Sequence, residues 1–360
     1  MSLSVVIPNF NHAKWLPRSV NALLKQSEPA DEIIIVDDAS TDNSISVIER
    51  LAREHTSIRL IRHETNLGAV TAMTTGFAAA KSEFVFFSAA DDFILPGLLQ
   101  RALAALREYP QAALFCAGVV MVDPEDNILA FRPFTEPART ARYVTPHEVS
   151  RLILTSDNWI VGPSVIYRSK RLLAIGGFDA ALGSFCDGIV VRNLALLHGF
   201  YFDPEILAVC MVYPQSFSAR SALSAIKSRA LIDIVRERGV RTLPEDIRGR
   251  YSDLIARRLR FSMSRLSLVF TDSDPSADGV ANVFGGSTID RRVLSLLGQM
   301  SLVSRAAVLS WLFLRTRPFG VSSIIKSWWG HIWRDPSRRA TASRLMAEMA
   351  STAKKDSKAN

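Results

Sequence analysis

Two pairs of adjacent aspartates stand out: Asp37–Asp38 closing "EIIIVDD" and Asp91–Asp92 closing "FVFFSAADD". Neighbouring carboxylates repel each other unless a cation or hydrogen-bond donors hold them. Each pair follows a run of branched or aromatic apolar residues that reads as a buried strand, and ligands of open parallel sheets bind outside the carboxyl ends of strands. Four carboxylates on one edge suit a divalent metal such as Mg²⁺, which takes one or two carboxylates and completes its shell with substrate phosphates. The plain alternative is a pair of solvated strand ends, where a single Asp serves as a cap or turn residue.

The elements that would position these residues follow from periodicity. "SLSVVIP", "EIIIV", "SIRLIR" and "EFVFFS" read as strands. Between them lie "HAKWLPRSVNALLKQ", a stretch from about Thr41 to His55, and "AVTAMTTGFAAA", which read as helices, the second with N-cap candidates in "STDNS". Strands alternating with helices predict βαβ units and an α/β fold whose mostly parallel sheet is covered on both faces. From 98 to 214 the pattern is mixed: helix "LLQRALAALREYP", strand "AALFCAGVVMVD", an irregular 123–145, strand "PSVIYR" and helix "SKRLLAIG". Beyond 220 it is mainly helical, with a polar interruption "TDSDPSADGVANVFGGST" and an end, "STAKKDSKAN", expected to be disordered.

The 360 residues allow two domains, and 48% hydrophobic with 22% charged residues describes a globular chain. The expected division is 1–220, 221–349 and a tail 350–360. Cys116, Cys186 and Cys210 form no C-x-x-C and read as buried free thiols in a reducing compartment. "MSLSVVIPNF" has no basic leader region and Pro8 cuts its apolar run, so no secretory signal is expected. No run approaches the roughly 18 consecutive apolar residues of a spanning helix. A cytoplasmic protein is expected. There is no G-x-G-x-x-G after the first strand and no G-x-x-x-x-G-K-[ST], which argues against a dinucleotide binder and a P-loop NTPase. G-x-S-x-G and H-E-x-x-H are also missing, and His12 and His198 read as surface or packing residues.

Four phrases appear in order over about 210 residues: "VVIPNFNHAKWLPRSVNALLKQS", "EIIIVDDASTDNS", "NLGAVTAMTTGFAAAKSEFVFFSAADD" and "GGFDAALGSFCDGIVVRNLALLHGF". Together they resemble the family 2 glycosyltransferases, which have the GT-A fold. The resemblance implies an inverting transferase that moves a sugar from a nucleoside diphosphate to an acceptor hydroxyl, with Mg²⁺ or Mn²⁺ as cofactor. It places Pro8 through Asn11 at the lip of the nucleotide pocket, with Phe10 stacking on the base. It makes Asp38 the carboxylate that accepts from the base ring N–H. Asp92 becomes the metal contact to the diphosphate, with Asp91 near the ribose or sugar. Asp187, at the start of a helix after "GGFD", matches the general base; a plain N-cap is the competing reading of that residue. Asp179 reads as structural.

The chain also departs from the family pattern. Ala89 stands at the first position of a metal motif often written D-x-D-D, "MTT" (Met73, Thr74, Thr75) replaces a common Arg-Asn pair, and Cys186 stands where an acidic neighbour of the base is frequent. These keep open a catalytically inactive scaffold of the same fold. A nucleotidyltransferase is the weaker enzymatic rival, because "PNFNHAKW" is not a basic, glycine-rich loop. Without Q-x-x-R-W or membrane spans, addition of a single sugar is expected, to a sugar or lipid-linked acceptor in bacterial surface-polysaccharide or glycolipid assembly.

Charge is unevenly spread. Residues 1–220 hold 19 Lys+Arg and 23 Asp+Glu, a net of −4, while 221–360 hold 24 and 12, a net of +12. Such asymmetry predicts that the C-terminal part meets something anionic. In "SSIIKSWWGHIWRD", Ile324, Ile325, Trp328, Trp329 and Ile332 share one helical face with basic flanks. That suits a helix lying in an anionic membrane interface at the cytoplasmic face, or equally a face packed on the catalytic domain or in a dimer. No nucleic-acid module is visible.

Overall fold

The computed structural model describes residues 2–133, 135–156, 159–213, 225–270, 280, 284, 286–298, 304–318 and 336–347. The chain divides into two compact units. One comprises Met1–Phe178, Val190–Val212 and Ser322–Asn360, the other Asp179–Ile189 and Tyr213–Val321.

The first unit is built on one mixed sheet. Strands β1 (Leu3–Asn9), β2 (Glu32–Asp37), β3 (Ile58–Arg62) and β4 (Phe84–Phe87) alternate with helices α1 (Leu16–Leu24), α2 (Ser44–Glu54) and α3 (Ala69–Ala79). They pair in parallel in the order β3-β2-β1-β4, the intervening helices supplying the crossover connections that parallel strands need. Val5, Val6, Ile7 and Ile33 through Val36 are fully enclosed. Burying each such side chain contributes about 1.5–3 kcal/mol, which is why these strands read as continuous aliphatic runs.

The second half of the sheet is mixed. After β5 (Phe93–Ile94) and α4 (Leu98–Glu108) come β6 (Leu114–Val122), β7 (Ile128–Arg132), β8 (Arg142–Val144), α5 (Pro146–Thr155), β9 (Ile166–Arg168), α6 (Ser169–Ala174), α7 (Cys186–His198) and β10 (Phe200–Met211). The order continues β4-β9-β6-β10-β5, with β9 antiparallel to both of its neighbours and β6 parallel to β10. The stretch 123–145, expected to be irregular, holds two strands: β7 pairs with β6 and β8 with β10. Polar and exposed residues around a turn at Asp123–Asn127 hide that hairpin from periodicity, and β8 is only three residues long. α5 starts with a full capping box, Thr145 and Glu148 each bonding the other's backbone N–H.

The second unit is helical. Its main elements are α8 (Ala225–Arg238), α9 (Glu245–Phe270), α10 (Thr288–Gly298) and α11 (Ser304–Thr316). Val280, Phe284, Leu294, Val308 and Leu312 form a core there, with Phe261, Leu309 and Trp311 packed against it. Trp311, one of four C-terminal tryptophans, is therefore a core-facing residue. The aromatic stretch Ile324–Arg334, the expected boundary at 220 and the tail 350–360 lie outside the described residues. One helical run, Ala180–His198, is long and apolar enough by composition to cross a membrane, yet half of it is buried inside the protein and it is broken at Gly183. Ile189, Val190, Val191 and Leu194 of this run are core residues.

Candidate active site

The carboxyl ends of β1, β2 and β4 lie side by side, because Asn9 pairs with Asp37 and Val6 with Phe87 in the parallel register. This edge collects Pro8, Phe10, Asn11, Asp38, Asp91 and Asp92. Asn11, in the left-handed region at φ 59°, accepts from Thr41 N–H at 2.7 Å and Asp42 N–H at 3.2 Å, tying the turn after β1 to the loop after β2. Pro8 and Phe10 are half-buried at that lip.

The two aspartate pairs solve their repulsion differently. Asp37 Oδ2 accepts from Asn9 Nδ2 and Ser40 Oγ, both at 2.7 Å, and Oδ1 accepts from Ser40 N–H at 3.0 Å. Asp38 Oδ1 lies 2.7 Å from His63 Nδ1 and accepts from Leu67 N–H at 2.9 Å, while Oδ2 accepts from Gly68 N–H at 2.7 Å. Gly68 sits at φ +92°, a conformation other residues adopt only with strain, and so presents its N–H to Asp38 at the start of α3. Donors of the chain itself therefore hold this pair. An ionised carboxylate has about four lone-pair positions. Three on Asp38 are taken, which leaves one on Oδ2.

Asp91 and Asp92 lie between β4 and β5, beside Ala89, whose carbonyl accepts from Ser19 Oγ of α1 at 3.1 Å. Asp92 is only 9% exposed and accepts one backbone donor, Met211 N–H of β10, at 2.8 Å. Burial pushes its carboxyl pKa well above the usual range and the Asp91 charge pushes it further, while Met211 N–H and the Cys210 thiol pull it back. Burial and the charges of Asp92 and Asp91 raise the Cys210 thiol in turn, so it stays protonated as a donor. His12 Nε2 stands 4.0 Å from Asp91 Oδ2, so this histidine, expected at the surface or in packing, borders the pair.

A buried carboxylate disfavoured by its neighbour is the arrangement a divalent cation relieves. Among the described residues no group of three or more His, Cys, Asp and Glu is placed to cage an ion. Asp91 and Asp92 therefore fit Mg²⁺ or Mn²⁺ only as a cation that shares its shell with phosphate or water.

Asp187 belongs to the second unit. It is exposed in the first turn of α7, and its Oδ1 accepts from Gly188 N–H at 2.6 Å. Cys186 beside it is buried, and burial first, then the Asp187 charge, push its thiol far up, so it remains neutral. Asp179 caps the turn Ala180–Phe185 through Ala181 N–H at 2.9 Å and pairs with Arg238 at 3.2 Å, a structural set of contacts.

Sequence reasoning missed His63, Met211 and Cys210. His63 ends on the sheet edge only because Asp37 pairs with Arg62, and its Nε2 reaches Thr75 Oγ1 at 3.1 Å, within the "MTT" substitution. An apolar strand ending "LAVCM" was the available signal for the other two.

A sheet whose parallel half ends in paired carboxylates belongs to the class of α/β folds that bind ligands beyond their strand ends, and comparison with known proteins narrows it. Residues 4–156 match the profile of Glycosyl transferase family 2. An uncharacterised glycosyltransferase of Nostoc sp. is 30% identical over 245 residues, 66% of this chain and 74% of that protein. The poly(ribitol-phosphate) beta-N-acetylglucosaminyltransferase TarS of Staphylococcus aureus is 32% identical over 184 residues, 48% of this chain but 31% of that protein. Among solved structures, TarS 1–349 in complex with UDP-GlcNAc superposes with a TM-score of 0.58 at 22% identity, covering 87% of this chain and 89% of that one. A Pyrobaculum calidifontis mannosyltransferase in complex with GDP-Man and Mn²⁺ gives 0.52 at 17% identity, covering 91% and 87%. The chain belongs to glycosyl transferase family 2: it is a glycosyltransferase with the GT-A fold and a helical C-terminal region.

Proposed function

We propose that this enzyme moves a single sugar, with inversion, from a nucleoside-diphosphate sugar to an acceptor hydroxyl in the assembly of a surface polysaccharide or glycolipid. The observation that carries the reading is the contrast on one sheet edge: donors of the chain hold Asp37 and Asp38, while burial and the neighbouring Asp91 charge disfavour the ionised form of Asp92. Complexes of structural neighbours with UDP-GlcNAc, and with GDP-Man and Mn²⁺, support a nucleotide-sugar donor and a divalent ion. The activity of the S. aureus relative, a poly(ribitol-phosphate) N-acetylglucosaminyltransferase, supports a polymeric, phosphate-bearing acceptor.

In this reading Phe10 stacks on the nucleobase, and Pro8 and Asn11 shape the lip. Asp38 accepts the base N–H on its one remaining lone pair, and His63 with the Leu67 and Gly68 N–H groups holds that carboxylate in place. Asp92 would hold the ion, with Asp91 beside the ribose or sugar, and the ion when bound would supply Lewis-acid charge for the diphosphate leaving group. Asp187 takes the proton of the acceptor hydroxyl as it attacks the anomeric carbon from the face opposite the diphosphate. The N-terminus of α7 keeps its carboxylate ionised for that task. The proposed division has a catalytic domain to about residue 220 and a basic helical region beyond it. A cytoplasmic location is part of this reading, and the net +12 of 221–360 supports contact with an anionic membrane face if the acceptor is lipid-linked.

Ala89 and the Met73–Thr74–Thr75 segment, which supply fewer polar groups than the family pattern, favour a second reading as an inactive scaffold. One experiment separates the two. The melting temperature is measured against a panel of nucleoside diphosphates and nucleotide sugars, with and without Mn²⁺, for the native protein and Asp92→Asn. Stabilisation that needs metal and is lost in Asp92→Asn supports the transferase; a flat response from folded protein supports the scaffold.

A further inference from the structure

We propose that the helical unit carries a second anion site, which takes a phosphate or diphosphate group of a ligand other than the sugar donor. A cleft of about 340 Å³ opens beside α9, α10 and α11, and three of the residues around it are arginines: Arg257, Arg260 and Arg315. Its volume lies at the small end of ligand sites. Arg257 and Arg260 stand three apart on α9, so both project from one helix face toward the same space. Both are exposed, and neither makes an ion pair among the described residues.

Among the described residues lining the cleft the one acid, Asp290, is already committed. Asp290, 2% exposed, takes a two-pronged bond from Arg315, Nε at 2.6 Å and Nη2 at 3.0 Å. It also accepts from Ser287 N–H at 2.9 Å and Ser287 Oγ at 2.8 Å. Those bonds hold its carboxyl down at about 2, so it stays ionised and fixes Arg315 at the rim. Three guanidinium charges against one carboxylate leave a net of two positive charges. Gly286 lines the same cleft with bare backbone: a Cβ there would come within 2.6 Å of Asp290 Cβ and of Phe284.

The residue type narrows the ligand. Residues 221–321 contain fifteen arginines and one lysine. The planar fork of arginine matches phosphate oxygens two at a time, whereas lysine offers a point charge. A concave cleft admits one phosphate or diphosphate group at a time. A flat basic face would fit a bilayer better. The phosphate groups of a phosphorylated acceptor have this chemistry. The site itself does not depend on the transferase reading, because anion binding is scored without turnover.

The test is isothermal titration of the full chain with sodium pyrophosphate in EDTA, which removes metal-dependent binding at Asp92. R257Q/R260Q should weaken pyrophosphate binding at least about tenfold, with R257Q and R260Q singly intermediate. The far-UV circular dichroism and the response to UDP with Mn²⁺ should not change, since both side chains are exposed and distant in sequence from the donor residues. Pyrophosphate that fails to bind the native chain, or binds the double variant equally, overturns the proposal. In a parallel arm, phosphatidylglycerol vesicles are sedimented with both proteins. Vesicle binding that needs both arginines while pyrophosphate does not bind also overturns it, in favour of a membrane surface.

Discussion

Asp38 and Asp92 are both buried carboxylates at strand ends, and the chain treats them in opposite ways. Asp38 receives three donors, so Asp38→Asn replaces one accepting oxygen with an NH2 donor that faces N–H groups, which then lose their partner. A loss of about 2 kcal/mol in urea unfolding is expected. Asp92 carries a charge that burial and Asp91 disfavour. A carboxyl whose folded pKa is raised withdraws stability as pH climbs from its unfolded value through the folded one. Asp92→Asn, which keeps an oxygen for Met211 N–H, should therefore be as stable as the native protein or more so at neutral pH in the absence of metal, while losing metal-dependent donor binding. A clear loss of stability in Asp92→Asn would make that carboxylate structural. Asp187 is exposed, so Asp187→Asn should leave stability within about 0.5 kcal/mol. It should lower kcat roughly 10²–10⁴-fold with the donor KM unchanged; kcat unchanged would return Asp187 to a helix cap. The aspartates themselves were legible, since two acids after a buried run are visible in any sequence. Their partners were not: His63, Leu67 and Gly68 lie 25 to 30 residues from Asp38, and Met211 lies 119 from Asp92.

At the scale of elements, β1, β2 and β4 were readable because strands buried on both faces of a parallel sheet are dominated by apolar residues. The edge strand β3 exposes Arg59 and Arg62 and was readable from its alternating isoleucine and leucine positions. β10 was not. Asp203, Pro204 and Glu205 interrupt it, and the register against β6 slips between Asp203 and Ala208. Opposite the slip stands Gly118, where a Cβ would meet the Glu205 carbonyl at 2.8 Å. A strand with a proline and two acids in its middle reads as a loop, and only its partner glycine makes room for the bulge. The helical unit offers an element-scale prediction through Asp290, which joins the start of α10 to Arg315 of α11. Its carboxyl lies at about 2, lowered from 3.8 chiefly by Arg315 and then by Ser287. A depressed carboxyl contributes stability that is full above its unfolded value and lost as pH falls through the folded one. Asp290→Asn should thus cost about 2 kcal/mol at neutral pH, and the gap between variant and native protein should close between about pH 4 and pH 2. A pH-independent gap in urea unfolding would assign the cost to packing instead.

For the whole molecule, the alternation of strands and helices was enough to give the sheet class, because crossover handedness and strand burial leave few ways to assemble such a chain. The two compact units were less legible. Asp179–Ile189 groups with Tyr213–Val321 although it lies within the stretch that carries the family phrases, and contacts of that kind leave no local pattern. Charge is the property of the whole chain that sequence states directly: −4 over 1–220 and +12 over 221–360. Excess positive charge of this size draws anionic partners through long-range attraction, and salt screens that attraction over about 10 Å at 0.1 M. If the acceptor carries phosphodiesters, its KM should rise roughly tenfold between about 0.05 M and about 0.3 M NaCl, as expected for one or two phosphates neutralised by arginine. A neutral acceptor bearing the same hydroxyl should change less than about twofold, since its binding releases few counterions. R257Q/R260Q should flatten the first response toward the second if the cleft of the helical unit receives the acceptor phosphate. Equal salt responses for both acceptors would leave the +12 as a device for solubility, and would separate the charge of the chain from the choice of substrate.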